Sequence, residues 1–593
     1  MTRPLAVDAL VIGGGATGAG LLRDLARRGL RTLLVEKGDL GSGTSGRYHG
    51  LLHSGGRYVV TDAAAARECI VENRVLRRIA PACVEDTGGY FVATPDDPEE
   101  YLEPFAEACA AAGVPCDEVP VSQLLTREPA LNRAIRRAFR VPDAAVEPWQ
   151  LIEANVADAR SLGGDAWPYH RVVSMRRSGA RILAVDVVDE RSGSLSTVLP
   201  RIVVSAAGAW AGSVAGLAGV RLAMSPGKGT MLVFNQRMTD TVINRCHRPD
   251  DGDIMVPVHS VAILGTTEVT VDDPDVYGIG RDEVALLLAE GTKLFPDLPR
   301  MRLLRAYAGV RPLYKEERPA AADDGRGISR AHVVIDHVRD DVENFVSIVG
   351  GKLTTYRLMA EQAADVVCAK VGLTARCTTA EEVLPDQGDG RTYWLGHRLA
   401  EHEATGGGDA DLICECEMLT RSTIERFLDE RWPCSLDDVR RGTRLGMGPC
   451  QGGFCTFRAA GLVAEREAGV NAAAVEGAAA VEAVTAAAGA ASAATVPGGG
   501  ALDESAQSDR VLVDFLAERY RGTRPIAWGR QLQELWVTAG LYAGVLGVRS
   551  LVDALGDHSP ERRAPAGDEV GRPPAPVTVA ATARDRNGGN APG

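Results

Sequence analysis

The chain has 593 residues, which is more than one hydrophobic core supports, so its length predicts two to four domains. Its hydrophobic content of 45% and its charged content of 24% are ordinary for a soluble globular protein. The net charge of −14 argues against a nucleic-acid-binding surface.

The sequence predicts no targeting segment and no membrane span. A glycine-rich motif begins at Gly13, which leaves no room for a signal peptide in front of it. The apolar run 535–548 is shorter than the roughly 18 residues of a membrane span, and we interpret it as a buried helix. Twelve cysteines in a chain this long are not a disulfide scaffold and indicate a reduced, cytoplasmic setting. Attachment to a membrane would then depend on a partner protein.

Residues 8–36 have the pattern of a βαβ unit that binds a dinucleotide. Residues 8–12 form a short apolar, β-branched run, which predicts a buried parallel strand. A helix is predicted over 19–28 and a second strand over 30–35, which ends at Glu36. This order of elements is much more specific than a glycine motif alone, although a glycine-rich turn in another α/β protein remains the alternative.

The three glycines of this motif and the acid that follows have separate predicted tasks. Gly13 makes the tight turn, Gly15 lets the backbone approach a pyrophosphate, and Gly18 lets the helix pack on the strand. The helix N-terminus offers unpaired N–H groups to the phosphates. Glu36 would accept hydrogen bonds from ribose hydroxyls.

Two later segments predict further strands that end near the cofactor. Residues 202–210 are apolar and end in small residues that include Gly208, and residues 346–351 precede Lys352, Leu353 and Thr354. The cofactor domain is therefore predicted to be discontinuous, comprising 1–75, 146–215 and 305–380. A substrate domain is predicted from 76–145 and 216–304.

Beyond these segments the chain carries a cysteine quartet and low-complexity stretches. A small domain is predicted over 408–470, a flexible alanine- and glycine-rich linker over 471–508, a helical segment over 509–555 and a disordered tail over 556–593.

The quartet consists of a C-x-C pair, Cys414 and Cys416, and a C-x4-C pair, Cys450 and Cys455. Four thiolates in two close pairs suit either tetrahedral zinc or a [2Fe–2S] cluster. The tight first pair and the glycine-rich surroundings of the second favour the cluster, whose sulfides accept backbone N–H bonds. Buried cysteines without a metal are the third interpretation.

Several motifs together resemble the FAD-dependent glycerol-3-phosphate dehydrogenases. The added cysteine segment is similar to the A subunits of the anaerobic type, and the resemblance runs from residue 7 to about 550. The motifs that carry it are the glycine turn and residues 44–58, 265–267, 308–313, 328–330, 350–357 and 525–529. Where this family has Gly-Thr-Thr-Asp, the chain has Gly-Thr-Thr-Glu, ending in Glu268.

The resemblance implies a fold, an activity and partners. The fold would be an α/β glutathione-reductase-like FAD domain of the Rossmann type, with an inserted α+β substrate domain and a [2Fe–2S] domain like bacterioferritin-associated ferredoxin. The activity would be oxidation of sn-glycerol 3-phosphate to dihydroxyacetone phosphate. The partners would be a second flavin-bearing subunit, together with an iron–sulfur membrane-anchor subunit. The complex would lie at the inner face of the cell membrane, with quinone as terminal acceptor.

The resemblance also selects residues for each task. Two arginines, Arg311 and Arg330, would clamp the phosphate, since a guanidinium bonds two oxygens at once. Our candidate base is His53, with stabilisation of a developing alkoxide by Arg57 or Arg311 as the rival account. Further contacts are predicted to the substrate from Tyr58 and Lys352, and to FAD from Thr44, Ser45, Gly208, Gly351, Lys352, Leu353 and Thr354.

Two other functions compete with this interpretation. One is an amine or amino-acid dehydrogenase of the sarcosine or opine type, which would need one arginine for a carboxylate rather than several cations for a phosphate. The other is an electron-relay protein without catalysis, which would not need a base beside the flavin.

Overall fold

A mostly parallel sheet places the glycine-rich turn at its centre. The computed structural model describes residues 4–314, 331–391, 395–404, 411–469 and 504–545. Among these residues, eight strands form this sheet, and five of them are parallel neighbours. In spatial order the parallel strands are Asp165–Trp167, Thr32–Val35, Leu5–Ile12, Leu195–Ser205 and Phe345–Gly350, and the antiparallel strands are His170–Ser178, Arg181–Asp189 and His332–Asp336.

Both faces of this sheet are covered. Helix Ala16–Arg27 packs against helices Pro148–Ser161 and Tyr356–Val371, and together they bury one large apolar core. On the other face, apolar residues of the antiparallel strands pack around Phe345 and Val203. The strands and helix predicted over residues 8–36 are all present, and this confirms the predicted Rossmann-type arrangement.

A second sheet supplies the opposite wall of the molecule. It is largely antiparallel, with one parallel pair between Val242–Arg245 and Gly89–Ala93. Its core also packs under helices Val121–Arg127 and Arg281–Leu294. Its remaining strands are Asp117–Glu118, Arg137–Val141, Gly227–Phe234, Ile254–Val258, Val261–Gly265, Val269–Thr270 and Leu303–Arg311.

Strand Leu303–Arg311 differs from the predicted division of the chain, which puts residues from 305 onward with the cofactor domain. It pairs along its whole length with Gly227–Phe234 of the second sheet. An apolar strand does not reveal in its own sequence which of two sheets it will join. The chain returns to the first sheet only at His332–Asp336.

Smaller elements complete the fold. A three-stranded sheet contains Leu51–Leu52, Ala144–Val146 and Val84–Glu85. Further helices are Ala63–Ile79, Glu99–Ala112, Ala211–Leu217 and Leu395–Ala404.

The cysteine segment folds around its own core together with the helices that follow it in the chain. Its elements are the hairpin Leu412–Cys414 and Leu419–Thr420 and the helices Arg421–Arg431, Leu436–Thr443 and 455–469. Helix Glu504–Thr523 adds Leu512, Phe515 and Leu516 to the same core. Helix Gly529–Ala539 follows and continues as a π-helical turn, Gly540–Val545.

The structure corrects two predictions for the C-terminal part. The predicted linker extends to 508, but the helix begins at Glu504; residues 471–503 and the tail from 546 lie outside the described residues. The prediction of a buried helix over 535–548 is wrong for its described part. Trp536 and Val537 are 71% and 70% exposed, whereas Tyr542 is fully buried, because only one side of this segment faces the cysteine domain. Among the described residues, no helix is long and apolar enough to cross a membrane.

Candidate active site and cysteine centre

A cavity of about 1580 Å³ opens where the parallel strands end. This volume exceeds the roughly 300–1,000 Å³ of typical ligand pockets, and the carboxyl edge of a parallel sheet is where α/β folds bind ligands. The cavity brings together most of the residues predicted for the cofactor and the substrate: Gly13, Gly15, Glu36, Thr44, Ser45, His53, Arg57, Tyr58, Gly208, Arg311, Gly351, Lys352, Leu353 and Thr354. Of the other predicted residues, Gly18 lies behind this wall, and Arg330 is outside the described residues.

The glycine turn allows a close approach that side chains would block. Gly13 has a positive φ of 114°, and a Cβ there would lie 2.5 Å from the carbonyl oxygen of Ala206. A Cβ on Gly18 would lie 1.9 Å from the carbonyl oxygen of Gly13, so the helix could not start so close to the strand. The N-cap residue of helix Ala16–Arg27 is Gly15, which has no side chain to cap the helix itself. This positive helix end fits the pyrophosphate of FAD.

Two side chains brace this turn. The Glu36 carboxylate accepts hydrogen bonds from the N–H groups of Gly14 at 2.7 Å and Gly38 at 2.9 Å. Burial raises the pKa of Glu36, and these two N–H groups oppose that shift. The Ser45 hydroxyl accepts a hydrogen bond from the Ala16 N–H at 3.0 Å. Glu36 also lines the cavity, where its carboxylate could accept hydrogen bonds from a ribose.

The loop that carries His53 is fixed on both sides. The His53 N–H donates to Thr354 Oγ1 at 3.1 Å, and its carbonyl accepts from Asn73 Nδ2 at 3.2 Å. The next residue, Ser54, donates its N–H to buried Asp143 at 2.6 Å. The His53 ring lies 5.5 Å from the ring of Tyr58. These contacts fix the backbone of the loop, and His53 lines the cavity wall.

Lys352, which follows strand Phe345–Gly350, approaches the ring of Tyr58. Its Nζ lies 4.6 Å from the centroid of the Tyr58 ring, a cation–π distance. The two glycines before it, Gly350 and Gly351, both have positive φ, 74° and 80°. A Cβ on Gly351 would lie 2.3 Å from Met359 Sδ, so this turn depends on glycine. His53, Tyr58 and Lys352 thus form one cluster on the cavity wall.

The charge of Arg57 is already paired. Its Nη1 donates to Asp253 at 2.7 Å, the Asp253 side chain is fully buried, and Nη2 donates to the carbonyl of Asp250 at 3.4 Å. Burial alone would raise the pKa of Asp253, but the guanidinium of Arg57 holds it below its usual value. Arg57 lines the cavity, but its guanidinium is directed to this ion pair.

Arg311 is held by three acceptors on the second sheet. Its Nη1 donates to Glu268 at 2.5 Å, and its Nη2 donates to Thr266 Oγ1 and to the Thr267 carbonyl. Cβ atoms on Gly227 and Gly229 would lie 2.2 Å from Glu268 Oε1 and 2.5 Å from Arg311 Nη2. These glycines therefore make the space in which the arginine and its carboxylate lie against the strand.

The four predicted metal-ligand cysteines come together in the C-terminal domain. Thiol contacts run in a chain from Cys414 to Cys455, from Cys455 to Cys450, and from Cys450 to Cys416. Within the described residues, no three or more His, Cys, Asp or Glu side chains form a geometry recognisable as a site for a metal ion. These contacts join all four cysteines in one group, and four thiolates are the ligand set of a [2Fe–2S] cluster.

The backbone around the quartet also fits a cluster. Hydrogen bonds from the thiols of Cys416 and Cys455 and from the N–H groups of Gly452 and Gly453 lower the pKa of Cys450 to about 2. A Cβ on Gly448 would lie 2.5 Å from Cys416 Cβ, so the two loops meet only because glycine is present. Backbone N–H groups directed at thiolates are the outer contacts that iron–sulfur clusters require.

The cysteine domain closes one end of the cavity. Arg444 forms ion pairs with Glu417 of its own domain at 3.2 Å and with Glu147 across the junction at 2.6 Å, and it lines the cavity. Arg441 reaches Asp39 at 2.7 Å. Burial raises the pKa of Asp39 to about 6, although the guanidinium of Arg441 opposes the shift. The loop that carries the second cysteine pair thus reaches the cavity through Gly446, Met447 and Gln451, whereas the four cysteines do not line it.

Sequence reasoning missed the carboxylates that hold the predicted cations and loops. Asp143, Asp253 and Glu268 support Ser54, Arg57 and Arg311. Only Glu268 gave any signal, because it differs from the Asp of the resembling family. The others carry no local pattern, since their partners lie 89 and 196 positions away in the chain.

Comparison with known proteins agrees with this geometry. A family model described as "FAD dependent oxidoreductase" matches residues 8–365, and one described as "BFD-like [2Fe-2S] binding domain" matches residues 412–465. The solved glycerol-3-phosphate dehydrogenase of Bacillus halodurans, complexed with FAD, shares the fold. Its TM-score is 0.53 at 23% identity, covering 71% of this chain and 75% of that one.

Closely similar relatives match almost the whole chain. It is 40% identical over 565 residues to the A subunit of the anaerobic glycerol-3-phosphate dehydrogenase of Escherichia coli (strain K12), covering 91% of this chain and 97% of that protein. It is also 40% identical over 565 residues to the A1 subunit of the corresponding Haloferax volcanii enzyme, covering 91% and 90%. The cofactors are FAD in the N-terminal part and a [2Fe–2S] cluster in the C-terminal part. The chain belongs to the family of anaerobic glycerol-3-phosphate dehydrogenase A subunits, flavoprotein oxidoreductases with an added iron–sulfur domain.

Proposed function

We propose that this chain oxidises sn-glycerol 3-phosphate to dihydroxyacetone phosphate in the cavity between its two large sheets. One observation carries the proposal: the cavity that begins at the dinucleotide turn is also lined by His53, Arg311 and Lys352. A secondary alcohol that carries a phosphate needs a proton acceptor and several cations close to the flavin. The relatives at 40% identity are named for oxidation of this substrate, which supports the same choice.

The phosphate would be bound by cations from both sheets. Arg311 presents a planar guanidinium fixed by Glu268 and Thr267, so little side-chain entropy is lost when it binds an anion. Lys352 adds a positive charge from the other wall, with Tyr58 beneath it. The second proposed clamp residue, Arg330, belongs to a segment outside the described residues.

The alcohol proton would pass to His53. Imidazole is the side chain best suited to take a proton near neutral pH, and the backbone bonds of His53 to Thr354 and Asn73 fix the loop that carries it at the cavity wall. In the rival account, Arg57 or Arg311 stabilises a developing alkoxide. Both guanidiniums are ion-paired, Arg57 with Asp253 at 2.7 Å and Arg311 with Glu268 at 2.5 Å, so neither arginine is favoured over the other for that electrostatic role.

The cofactors would be held by separate parts of the chain. FAD would lie on Gly13, Gly15, Glu36, Thr44, Ser45, Gly208, Gly351, Lys352, Leu353 and Thr354, and the cluster on Cys414, Cys416, Cys450 and Cys455. When bound, FAD accepts a hydride from the substrate carbon and the cluster carries single electrons. The protein orients the substrate, takes the proton and keeps water out of the closed end of the cavity, where the cysteine domain covers it.

Electrons would leave through the cluster to partner subunits, with quinone as the final acceptor. The relatives are named as A subunits, which implies further subunits in their complexes. We propose that the partners are a second flavin-bearing subunit, together with an iron–sulfur membrane-anchor subunit. These partners would bring this chain to the inner face of the cell membrane.

An anaerobic visible spectrum of the full chain, recorded before and after adding sn-glycerol 3-phosphate, tests the proposal. We expect the flavin bands to bleach above a persistent broad cluster absorbance. Flavin that bleaches with an amino acid but not with this substrate would instead assign the chain to the sarcosine or opine type. Flavin that bleaches with neither would leave only an electron-relay role.

A further inference from the structure

A helix from beyond the matched iron–sulfur domain lies against the cysteine loops. That domain match ends at residue 465, whereas helix Glu504–Thr523 packs into the same apolar core. Atoms of the Phe515 ring lie 3.5 Å from the Cβ position of Gly446 and 3.2 Å from that of Gly452. These glycines precede and follow the first cysteine of the C-x4-C pair, so Phe515 covers the backbone that shapes this loop.

One turn further along the helix, Arg519 reaches the loop with its guanidinium. Its Nη2 donates a hydrogen bond to the carbonyl oxygen of Cys450 at 3.0 Å. Its Nη1 lies 3.4 Å from the Cβ position of Gly452. This nitrogen is buried, and among the described residues it has no hydrogen-bond partner. A buried N–H group without a partner costs free energy, which indicates that a ligand belongs beside it.

Arg519 differs from several arginines near the quartet in its charge balance. Three of them have a carboxylate partner, in the pairs Arg302–Glu534 at 3.5 Å, Arg444–Glu417 at 3.2 Å and Arg458–Glu415 at 2.5 Å. In the described part of the chain, no carboxylate lies within 4.0 Å of the Arg519 guanidinium. Among the charges that act on this guanidinium, the thiolates of Cys450 and Cys455 are negative and the guanidinium of Arg305 is positive.

A [2Fe–2S] cluster on four thiolates supplies the missing negative charge. It is a dianion when both irons are ferric, and one-electron reduction makes it a trianion. A buried cation next to the cluster stabilises the more negative state and so raises the reduction potential, which net charge and hydrogen bonds control. A cation in solvent would be screened and would have little effect.

We propose that Arg519 is a positioning residue of the [2Fe–2S] site, which holds the Cys450 loop and raises the reduction potential of the cluster. The inference rests on the assignment of the cysteine quartet as the cluster ligands. With this role for Arg519, helix Glu504–Thr523 contributes to the cluster site although it lies outside the matched iron–sulfur domain, which ends at residue 465. Tyr542 supports the same loop, since its hydroxyl donates to the carbonyls of Gly452 at 3.1 Å and Gly453 at 3.3 Å.

The test compares Arg519→Gln with Arg519→Lys in the full chain, purified anaerobically. Iron and acid-labile sulfide report cluster content, and a redox titration followed by electron paramagnetic resonance reports the midpoint potential. We expect Arg519→Gln to shift the potential to more negative values by at least a tenfold change in the reduction equilibrium, about 59 mV for one electron. We expect Arg519→Lys to stay closer to the unmodified chain because it keeps the charge.

The control is Arg521→Gln, on the same helix, where the arginine is exposed and paired with Glu518 at 3.1 Å. This variant should leave both cluster content and potential unchanged. A loaded Arg519→Gln variant with an unchanged potential would overturn the inference, as would equal loss of cluster from the Gln and Lys variants. If the unmodified chain itself binds no iron, the ligand assignment fails rather than the role of Arg519.

Discussion

At the scale of single residues, Arg311 connects the sequence difference at Glu268 with substrate binding. The guanidinium is fixed by Glu268, which replaces the Asp of the resembling family and is one methylene longer. We expect Arg311→Ala to raise the KM for sn-glycerol 3-phosphate about a hundredfold, because a charge-assisted bidentate contact contributes roughly 2–3 kcal/mol. Steady-state kinetics with an artificial acceptor measure this. Arg300→Ala, an exposed site on the same sheet domain, is the control, and an equal KM in both variants would remove Arg311 from the clamp.

Replacing His53 is expected to lower kcat rather than to raise KM. Replacing it with Asn keeps the backbone bonds to Thr354 and Asn73 but removes the proton acceptor. We expect kcat to fall by roughly 10²–10⁴, the usual contribution of general-base catalysis. Steady-state kinetics with an artificial acceptor measure this, and His402→Asn, on helix Leu395–Ala404, serves as the control. A His53→Asn variant with an unchanged kcat would mean that another group takes the proton.

Residue types that depend on local pattern could be predicted, and residues that depend on long-range partners could not. Gly13, Gly18 and Glu36 act within one βαβ unit, so their spacing along the chain already contains their geometry. Asp253 holds Arg57 from 196 positions away, and Arg519 reaches Cys450 from 69 positions away. Nothing near either residue in the sequence carries that information.

Among the secondary-structure elements, the hairpin and the helices around the quartet hold the four thiols that we propose as the route by which electrons leave the chain. Cys414 ends strand Leu412–Cys414 and is almost fully buried. We expect Cys414→Ser to abolish electron transfer to quinone while the substrate still bleaches the flavin, because the flavin cavity does not contain this thiol. Stopped-flow spectra separate the two steps. Cys434→Ser, a cysteine outside the quartet, should leave both intact; if both steps survive in Cys414→Ser, the quartet is structural.

The C-terminal helices show how far apolar content can mislead at this scale. The run 535–548 is apolar all round, which normally indicates burial. Yet Trp536 and Val537 face outward, and the buried member is Tyr542, whose hydroxyl bonds the cysteine loop. Overall hydrophobicity therefore does not show which side of this segment faces the core, where Tyr542 packs and bonds the cysteine loop.

In the whole molecule, ion pairs join the cysteine domain to the flavin domain. The order of the strands explains why the domain boundaries could be predicted only approximately. Strands from five separate parts of the chain form the parallel core, and its order follows from the βαβ pattern. Strand Leu303–Arg311 joined the other sheet, since pairing depends on the neighbour and not on the strand itself. The contacts of Arg441 and Arg444 across the domain junction were likewise beyond prediction.

The Asp39–Arg441 contact at this junction predicts a pH dependence with a definite sign. The folded pKa of Asp39 is raised from 3.8 to about 6, so between these values the folded chain binds a proton that the unfolded chain releases. This group therefore contributes stability at low pH that is lost as the pH rises through about 6, by at most about 3 kcal/mol.

We expect Asp39→Asn to remove this part of the slope between pH 4 and 7, as measured by urea unfolding followed by fluorescence. Asp8→Asn is the matched control. Asp8 is partly buried, yet bonds from Arg31 and Arg201 lower its pKa, so its contribution is lost only below pH 3.8. An Asp39→Asn slope equal to that of the unmodified chain would mean that Arg441 keeps Asp39 ionised throughout, and that the junction does not respond to pH in this range.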